Sequence, residues 1–277
     1  MKFTKMHGCG NDYVYINGFE QAADDPAALA PLVSDRHFGV GGDGLVLILP
    51  SNRADVRMRM FNPDGSEAEM CGNAIRCVAK YVIDRGMVAG PQVNIETGAG
   101  VLHLLATVAN GDVKAVRVNM GSPRLERSDI PMLGPPGRVL CEPLDLDGRS
   151  LTVSCLSMGN PHTVIRLDVD PKDYPVTELG PKIETHPAFP ARTNVEFIQI
   201  LSPTEVRQRT WERGAGETLA CGTGASAVAV ACALNEWTGR RLRVHLPGGD
   251  LDIEWADDDC VYMTGPAVEV FSGEMVL

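Results

Sequence analysis

The chain has 277 residues, 44% of them hydrophobic and 22% charged, with a net charge of −11. That length allows about two domains and that composition an ordinary globular protein, while the acidic balance argues against general nucleic-acid binding. The longest apolar run, Ala225 to Leu234, is shorter than the ~20 residues of a bilayer span, and the opening M-K-F-T-K-M-H-G has no apolar signal segment, so a cytoplasmic setting without a membrane partner is expected.

Met1 to Met6 reads as a first strand entering a turn at His7 to Asp12, after which V-Y-I-N continues as strand. Asn11 in that turn fits two readings, a turn residue or an amide aimed at a ligand. Asp25 to Arg36 has the look of a short helix with Pro26 at its start. The glycine cluster Gly39 to Gly44 precedes the apolar strand Leu45 to Leu49; loop then strand, without a Lys-Ser/Thr ending, is not a nucleotide site. Asp55 to Phe61 alternates as a half-buried strand does and delivers the chain to the turn N-P-D-G-S, Asn62 to Ser66. A helix follows Cys71-Gly72-Asn73 and stops at Gly86. Val93 to Thr97, Val101 to Val108 and Val113 to Met120 read as strands joined by turns at Gly98-Ala99-Gly100 and Asn110-Gly111. Gly121 to Gly148 holds five prolines and reads as a connection poor in regular structure.

The cycle then restarts. Leu151 to Ser157 is a strand, Gly159-Asn160-Pro161-His162 a turn, and Thr163 to Leu167 a strand. Val195 to Ile200 and Val206 to Glu212 are strands, and the second feeds E-R-G-A-G-E. A helix follows Cys221-Gly222-Thr223-Gly224 and is apolar on nearly all sides, hence buried. Leu242 to Leu246, Leu251 to Trp255 and Val261 to Thr264 close the series. Cys71 and Cys221 stand 150 positions apart, as do Gly98 and Gly248, and Asn11 and Asn160 stand 149 apart. Such a constant offset marks a duplication. The expected fold is α+β: two pseudo-symmetric domains, each a mostly antiparallel sheet or barrel around one central buried helix. The expected halves are residues 1–120, with 265–277 returning to them, and 121–264.

Each half thus presents a cysteine at a helix start, where unpaired N–H groups and the helix dipole favour a thiolate and can hold a carboxylate. Two such cysteines could be a disulfide, a metal pair, a nucleophile with a spare, or an acid and a base. None of the eight cysteines forms a C-x-x-C pair, and neither His7 nor His162 completes a ligand motif, so no metal is expected. An acid–base pair uses both turns at once. With an amino acid between the halves, one thiolate removes the α-proton and the opposing thiol returns one to the other face. Peptide N–H groups from both helix starts would carry the developing enolate charge.

The run Asn62 to Arg76, N-P-D-G-S-E-A-E-M-C-G-N-A-I-R, resembles the signature of the diaminopimelate epimerases, as do H-G-C-G-N-D, G-N-P-H, R-T-N-V-E-F and W-E-R-G-A-G-E-T-L-A-C-G-T-G-A-S. The resemblance spans the chain, with its motifs in order. It implies a cofactor-independent epimerase interconverting LL- and meso-2,6-diaminopimelate, in lysine and peptidoglycan precursor synthesis, and a homodimer. By position it makes Cys71 and Cys221 proton donor and acceptor and sets Gly72, Asn73, Gly222 and Thr223 around the reacting carboxylate. It gives Asn11, Asn62, Asn160, Asn194, Glu212 and Arg213 the amino groups and distal carboxylate, with Glu212 and His162 assisting the chemistry. Gly44 departs from those members that carry Gln there. The alternatives are a racemase of another amino acid, such as proline or histidine, and a non-enzymatic thiol protein, either a redox sensor or an amino-acid-binding module.

Overall fold

In the computed structural model, which describes residues 1–276, one strand-and-helix plan is used twice. The chain divides into two units, Met1–Asn119 with the segment beginning at Thr264, and Met120–Met263. The first contains β1 (Lys2–Gly8), β2 (Asn11–Asn17), α1 (Pro26–Ser34), β3 (Leu45–Leu49), β4 (Val56–Phe61), β5 (Glu67–Ala68), α2 (Gly72–Asp84), β6 (Gln92–Thr97), β7 (Gly100–Ala109) and β8 (Asp112–Asn119). The second contains β9 (Val139–Leu146), β10 (Arg149–Ser157), β11 (Pro161–Arg166), α3 (Val176–Glu184), β12 (Asn194–Ser202), β13 (Glu205–Glu212), β14 (Gly216–Thr218), α4 (Gly222–Leu234), β15 (Arg241–Leu246) and β16 (Gly249–Trp255), before β17 (Val261–Gly265) and β18 (Val268–Glu274).

The pairings repeat as well. In the first unit β1–β2, β3–β4, β4–β5 and β6–β7 are antiparallel, and β2–β3 and β4–β6 are parallel. In the second, β10–β11, β12–β13, β13–β14 and β15–β16 are antiparallel, and β11–β12 and β13–β15 are parallel. The strand preceding the second plan, β9, lies antiparallel to β10, and the strand ending the chain, β18, lies antiparallel to β1. The fold is therefore sheet-dominated α+β in two repeated halves.

The helix α4 is wrapped because its sequence leaves no polar face to expose. From Ala225 to Cys232 every residue of α4 is fully buried, and the helix lies against β10, β11, β12, β15 and β16. Its counterpart α2 lies against β1, β2, β6, β7 and β8, burying Ala74, Ile75, Cys77, Val78 and Val82. Each valine or isoleucine so buried stabilises by about 1.5–3 kcal/mol. In β4, Val56, Met58 and Met60 point inward while Arg57 and Arg59 do not, the period of two expected from the sequence.

Several expectations need correction. The turn after β1 is only Cys9-Gly10, because His7 and Asp12 pair across it. Pro161 and His162 belong to β11 rather than to the turn before it. The segment 121–148 is not irregular throughout: it holds a 3-10 turn at Arg127–Asp129 and the eight-residue β9, in which Val139, Leu144 and Leu146 are buried despite Pro143. Each half also has a second helix. In α3, Val176, Leu179 and Ile183 recur at helical spacing, but Gly180-Pro181 interrupts the pattern.

Candidate active site

In the first unit, Cys71 is the N-cap of α2, in extended backbone between β5 and the helix. Its sulfur lies 3.5 Å from Asn11 Oδ1 and 3.9 Å from the Tyr13 hydroxyl. The Asn11 amide has one orientation. Its Nδ2 donates to Asp43 Oδ2 at 2.8 Å, so Oδ1 turns to accept from Asn73 Nδ2 at 3.2 Å and to face the Cys71 thiol. Asp43 is held by Arg36 at 2.9 Å and by the Asp12 N–H at 3.1 Å. Burial pushes Asp12 up, but hydrogen bonds from Arg36 and Lys5 overcome it and hold that carboxyl below its usual value.

Arg76, fully buried, donates to Gly72 O at 3.0 Å, Asn73 Oδ1 at 2.9 Å and Pro266 O at 3.2 Å. It shapes the first turn of α2 from beneath. Asn62 stays in its own turn, its amide donating to Ser66 Oγ at 3.0 Å. Gly44, just before β3, has φ +148°, and a β-carbon there would stand 2.2 Å from Phe61 O, so this loop requires glycine.

In the second unit, Cys221 is the N-cap of α4 and only 6% exposed. Its sulfur accepts from the Gly224 N–H at 3.3 Å and lies 3.5 Å from Thr223 Oγ1. Asn160 Nδ2 donates to Thr223 Oγ1 at 3.3 Å, and Asn160 Oδ1 faces His162 Nε2 at 3.0 Å. His162 Nδ1 lies 2.8 Å from Glu196 Oε1, and both side chains are wholly buried. At the end of β13, Glu212 accepts from Thr218 Oγ1 at 2.5 Å. Asn194 donates to Pro161 O at 2.8 Å and accepts from the Arg213 N–H at 2.9 Å, while the Arg213 guanidinium reaches Ala191 O at 3.0 Å.

The electrostatics reverse one expectation. A helix start favours a thiolate, yet burial pushes the Cys221 thiol well above its ordinary value, with the Glu212 and Glu196 carboxylates adding to the rise. Thr223 and the Gly224 N–H act the other way without cancelling it. Burial also pushes the Glu212 carboxyl up, opposed by Thr218 and by His162. Three other buried thiols behave as packed apolar groups: desolvation lifts Cys77 to about 11 and Cys155 and Cys232 to about 12.

The structure thus gathers Asn11, Cys71, Gly72 and Asn73 in one unit, and Asn160, His162, Glu212, Cys221, Gly222 and Thr223 in the other, with Asn194 and Arg213 joined beside β11. Tyr13, Asp43 and Glu196 were not singled out from the sequence. Glu196 had a signal: it is the one charge in the apolar run V-E-F-I of β12.

A sequence profile of the family described as diaminopimelate epimerase matches residues 3–126 and 154–270. A diaminopimelate epimerase of Pelotomaculum thermopropionicum is 60% identical over 276 residues, covering 99% of this chain and 98% of its own. One from Desulforudis audaxviator is 60% identical over 278 residues, covering 100% and 99%. Among solved structures, a phenazine biosynthesis protein of the PhzF family from Bacillus anthracis aligns with TM-score 0.73 at 17% identity, covering 100% of this chain and 99% of its own. A probable proline racemase from Agrobacterium radiobacter aligns with TM-score 0.69 at 17% identity, covering 100% and 93%. At that identity the structural likeness speaks to the fold alone.

Proposed function

Because the chain belongs to the diaminopimelate epimerase family, we propose that it interconverts LL- and meso-2,6-diaminopimelate by proton transfer at Cα, with Cys71 and Cys221 as the two exchanging groups. The observation that carries the cysteine assignment is the repetition itself. Each half sets a cysteine at the N-cap of its buried helix, beside an asparagine that follows the first strand of the repeated plan: Asn11 with Cys71, and Asn160, through Thr223, with Cys221.

In this reading the N–H groups at the starts of α2 and α4, with Gly72, Asn73, Gly222 and Thr223, bind the reacting carboxylate. They take up the charge that develops when the α-proton leaves. One of the two cysteines, as thiolate, removes the α-proton and the other, as thiol, returns a proton to the opposite face; after turnover the roles are exchanged. Asn11, Asn62, Asn160, Asn194 and Glu212 take the amino groups, and the planar guanidinium of Arg213 suits the distal carboxylate. No cofactor enters these steps.

A cytoplasmic setting and a homodimer belong to the same proposal. No helix among the described residues is long and apolar enough to cross a membrane. Sedimentation of the purified chain tests the dimer.

The activity is tested by incubating the purified protein with LL-diaminopimelate, no cofactor added, and resolving the stereoisomers. The meso form is expected to accumulate to equilibrium. Inertness toward diaminopimelate together with racemisation of proline or histidine would move the chain to a different substrate.

A further inference from the structure

Two side chains meet the sulfur of Cys71 within its own half, and they offer it opposite partners. One is the carboxamide of Asn11, whose orientation follows from the groups at the two ends of a short hydrogen-bond chain. Arg76 can only donate, so the Asn73 oxygen faces it at 2.9 Å and Asn73 Nδ2 turns to Asn11, giving to Oδ1 at 3.2 Å. At the other end the Asp43 carboxylate, ion-paired with Arg36 and taking the Asp12 N–H, can only accept, so Asn11 Nδ2 faces it at 2.8 Å. A guanidinium and a carboxylate thus fix the amide from both sides, with no titrating proton between them. What Asn11 offers Cys71, 3.5 Å away, is its carbonyl oxygen. An acceptor suits a thiol, which has a hydrogen to give, and opposes a thiolate, which has none.

The other side chain is Tyr13, buried on β2 two residues beyond Asn11, whose hydroxyl lies 3.9 Å from the same sulfur. We propose that Tyr13 is a further catalytic residue, which gives its hydroxyl hydrogen to the Cys71 sulfur when that sulfur is a thiolate, while Asn11 takes the S–H of the thiol. A group that must serve in turn as base and as acid thereby has one partner for each state. That Cys71 is a reacting sulfur rests on the epimerase reading; the two contacts to it do not.

Two further observations support the role. Burial pushes the Tyr13 phenol well above its ordinary value, and the charges of Cys71 and Asp43 add to the rise while Asn11 opposes it. The hydroxyl therefore keeps its hydrogen through the range in which a thiol titrates. Room has also been left for the ring: a β-carbon at Gly44 would stand 3.0 Å from Tyr13 Cε1, beside the hydroxyl end. Catalytic hydrogen bonds are often long in a free enzyme and shorten once charge develops on the acceptor. The titratable groups coupled to Cys71 are Tyr13 and Tyr15 of β2 and Cys77 of α2, with Asp43 acting on Tyr13 from the loop before β3. The cations Arg36 and Arg76 are engaged with Asp43 and Asn73.

Tyr13→Phe removes the hydroxyl and keeps the ring. Ionisation of Cys71 is followed by its rate of alkylation with iodoacetamide against pH, read on the Cys71 peptide by mass spectrometry so that the other cysteines do not interfere. Loss of a donor to a charged acceptor should move the midpoint up by about one pH unit. Tyr15→Phe is the control. It removes a buried hydroxyl of the same strand that donates to Ala74 O at 3.3 Å, and its midpoint should stay with the parent's. In turnover, Tyr13→Phe should lower kcat by up to about tenfold, the rate equivalent of one pH unit, with KM little changed. Should Tyr13→Phe fail to fold, Tyr13→Leu gives the same comparison. An unmoved midpoint in Tyr13→Phe, an equal shift in Tyr15→Phe, or a kcat equal to the parent's would overturn the proposal. The titration needs no turnover, so a parent protein inert toward diaminopimelate would count against the epimerase reading and leave this test standing.

Discussion

Gly180 of α3 sits against the indole of Trp211, and its replacement by alanine sets two effects of known size against each other. A β-carbon at Gly180 would lie 2.5 Å from Trp211 Cγ and 2.7 Å from Cβ, where carbon contacts need about 3.5–4.0 Å. The ring must retreat by about 1 Å. Because Cβ is among the crowded atoms, rotation of the side chain cannot relieve the contact, and β13 itself must move. The retreat also strains the 2.7 Å bond from Trp211 Nε1 to Glu184. Overpacking of this kind costs about 1–3 kcal/mol, and weakening the indole bond adds about 1 kcal/mol. Helix propensity pulls the other way, since alanine is favoured over glycine by about 1 kcal/mol. The net is a loss of about 1–3 kcal/mol, or roughly 2–12 °C in Tm at about 2–4 °C per kcal/mol. Trp211 is followed by Glu212 and Arg213, so kcat/KM should fall as well. Thermal unfolding by circular dichroism measures the first effect. A Gly180→Ala protein that melts at or above the parent temperature would mean that propensity wins and that the Trp211 contact is soft.

Stability should decline steeply in alkali. An unfolded thiol ionises near about 8.5, whereas in the fold Cys77 is raised to about 11 and Cys155 and Cys232 to about 12. The folded values lie above the unfolded one, so this contribution is complete below about pH 8.5 and is lost as pH rises toward 11. Each thiol contributes a slope of about 1.4 kcal/mol per pH unit, about 4 for the three. Cys221, which burial also raises, adds a fourth such thiol, so Cys155→Ala should flatten the slope of the urea midpoints between pH 8 and 10 by about a quarter; a flat profile would contradict the burial of these groups. Arg213→Ala should raise KM for diaminopimelate by about tenfold or more, the loss expected for a charged hydrogen bond. An unchanged KM in steady-state assays would remove Arg213 from the distal carboxylate.

How much of this was legible in the sequence depended on whether the signal was local. The apolar helix after Cys221 and the alternation in β4 were plain, because periodicity alone fixes which face is buried. The repeat was visible through a few landmarks, and the structure extends it to every strand pairing of the plan. The helix α3 was hidden because Gly180-Pro181 looks like punctuation, although Trp211 from a distant strand explains the glycine. In β9, neighbouring prolines and glycines obscured the strand, and a register shift between Val139 and Leu144 breaks the period of two. Residues that act through others were the hardest to find. Asp43 fixes Asn11 across 32 positions and Glu196 faces His162 across 34, and no local pattern links them. The acidity of Cys221 was misjudged for the same reason: the helix start is local, but Glu212 and Glu196 arrive from other strands and, with burial, outweigh it.

The central claim is that two sulfurs, one from each half, exchange protons at one stereocentre. Its most direct measurement is turnover of LL-diaminopimelate in deuterated water by the parent protein and by Cys71→Ala and Cys221→Ala, reading deuterium at Cα and configuration together. The parent should place one solvent deuterium on each inverted centre. Each alanine variant should lose inversion altogether. Inversion at the parent rate by either variant would contradict the claim.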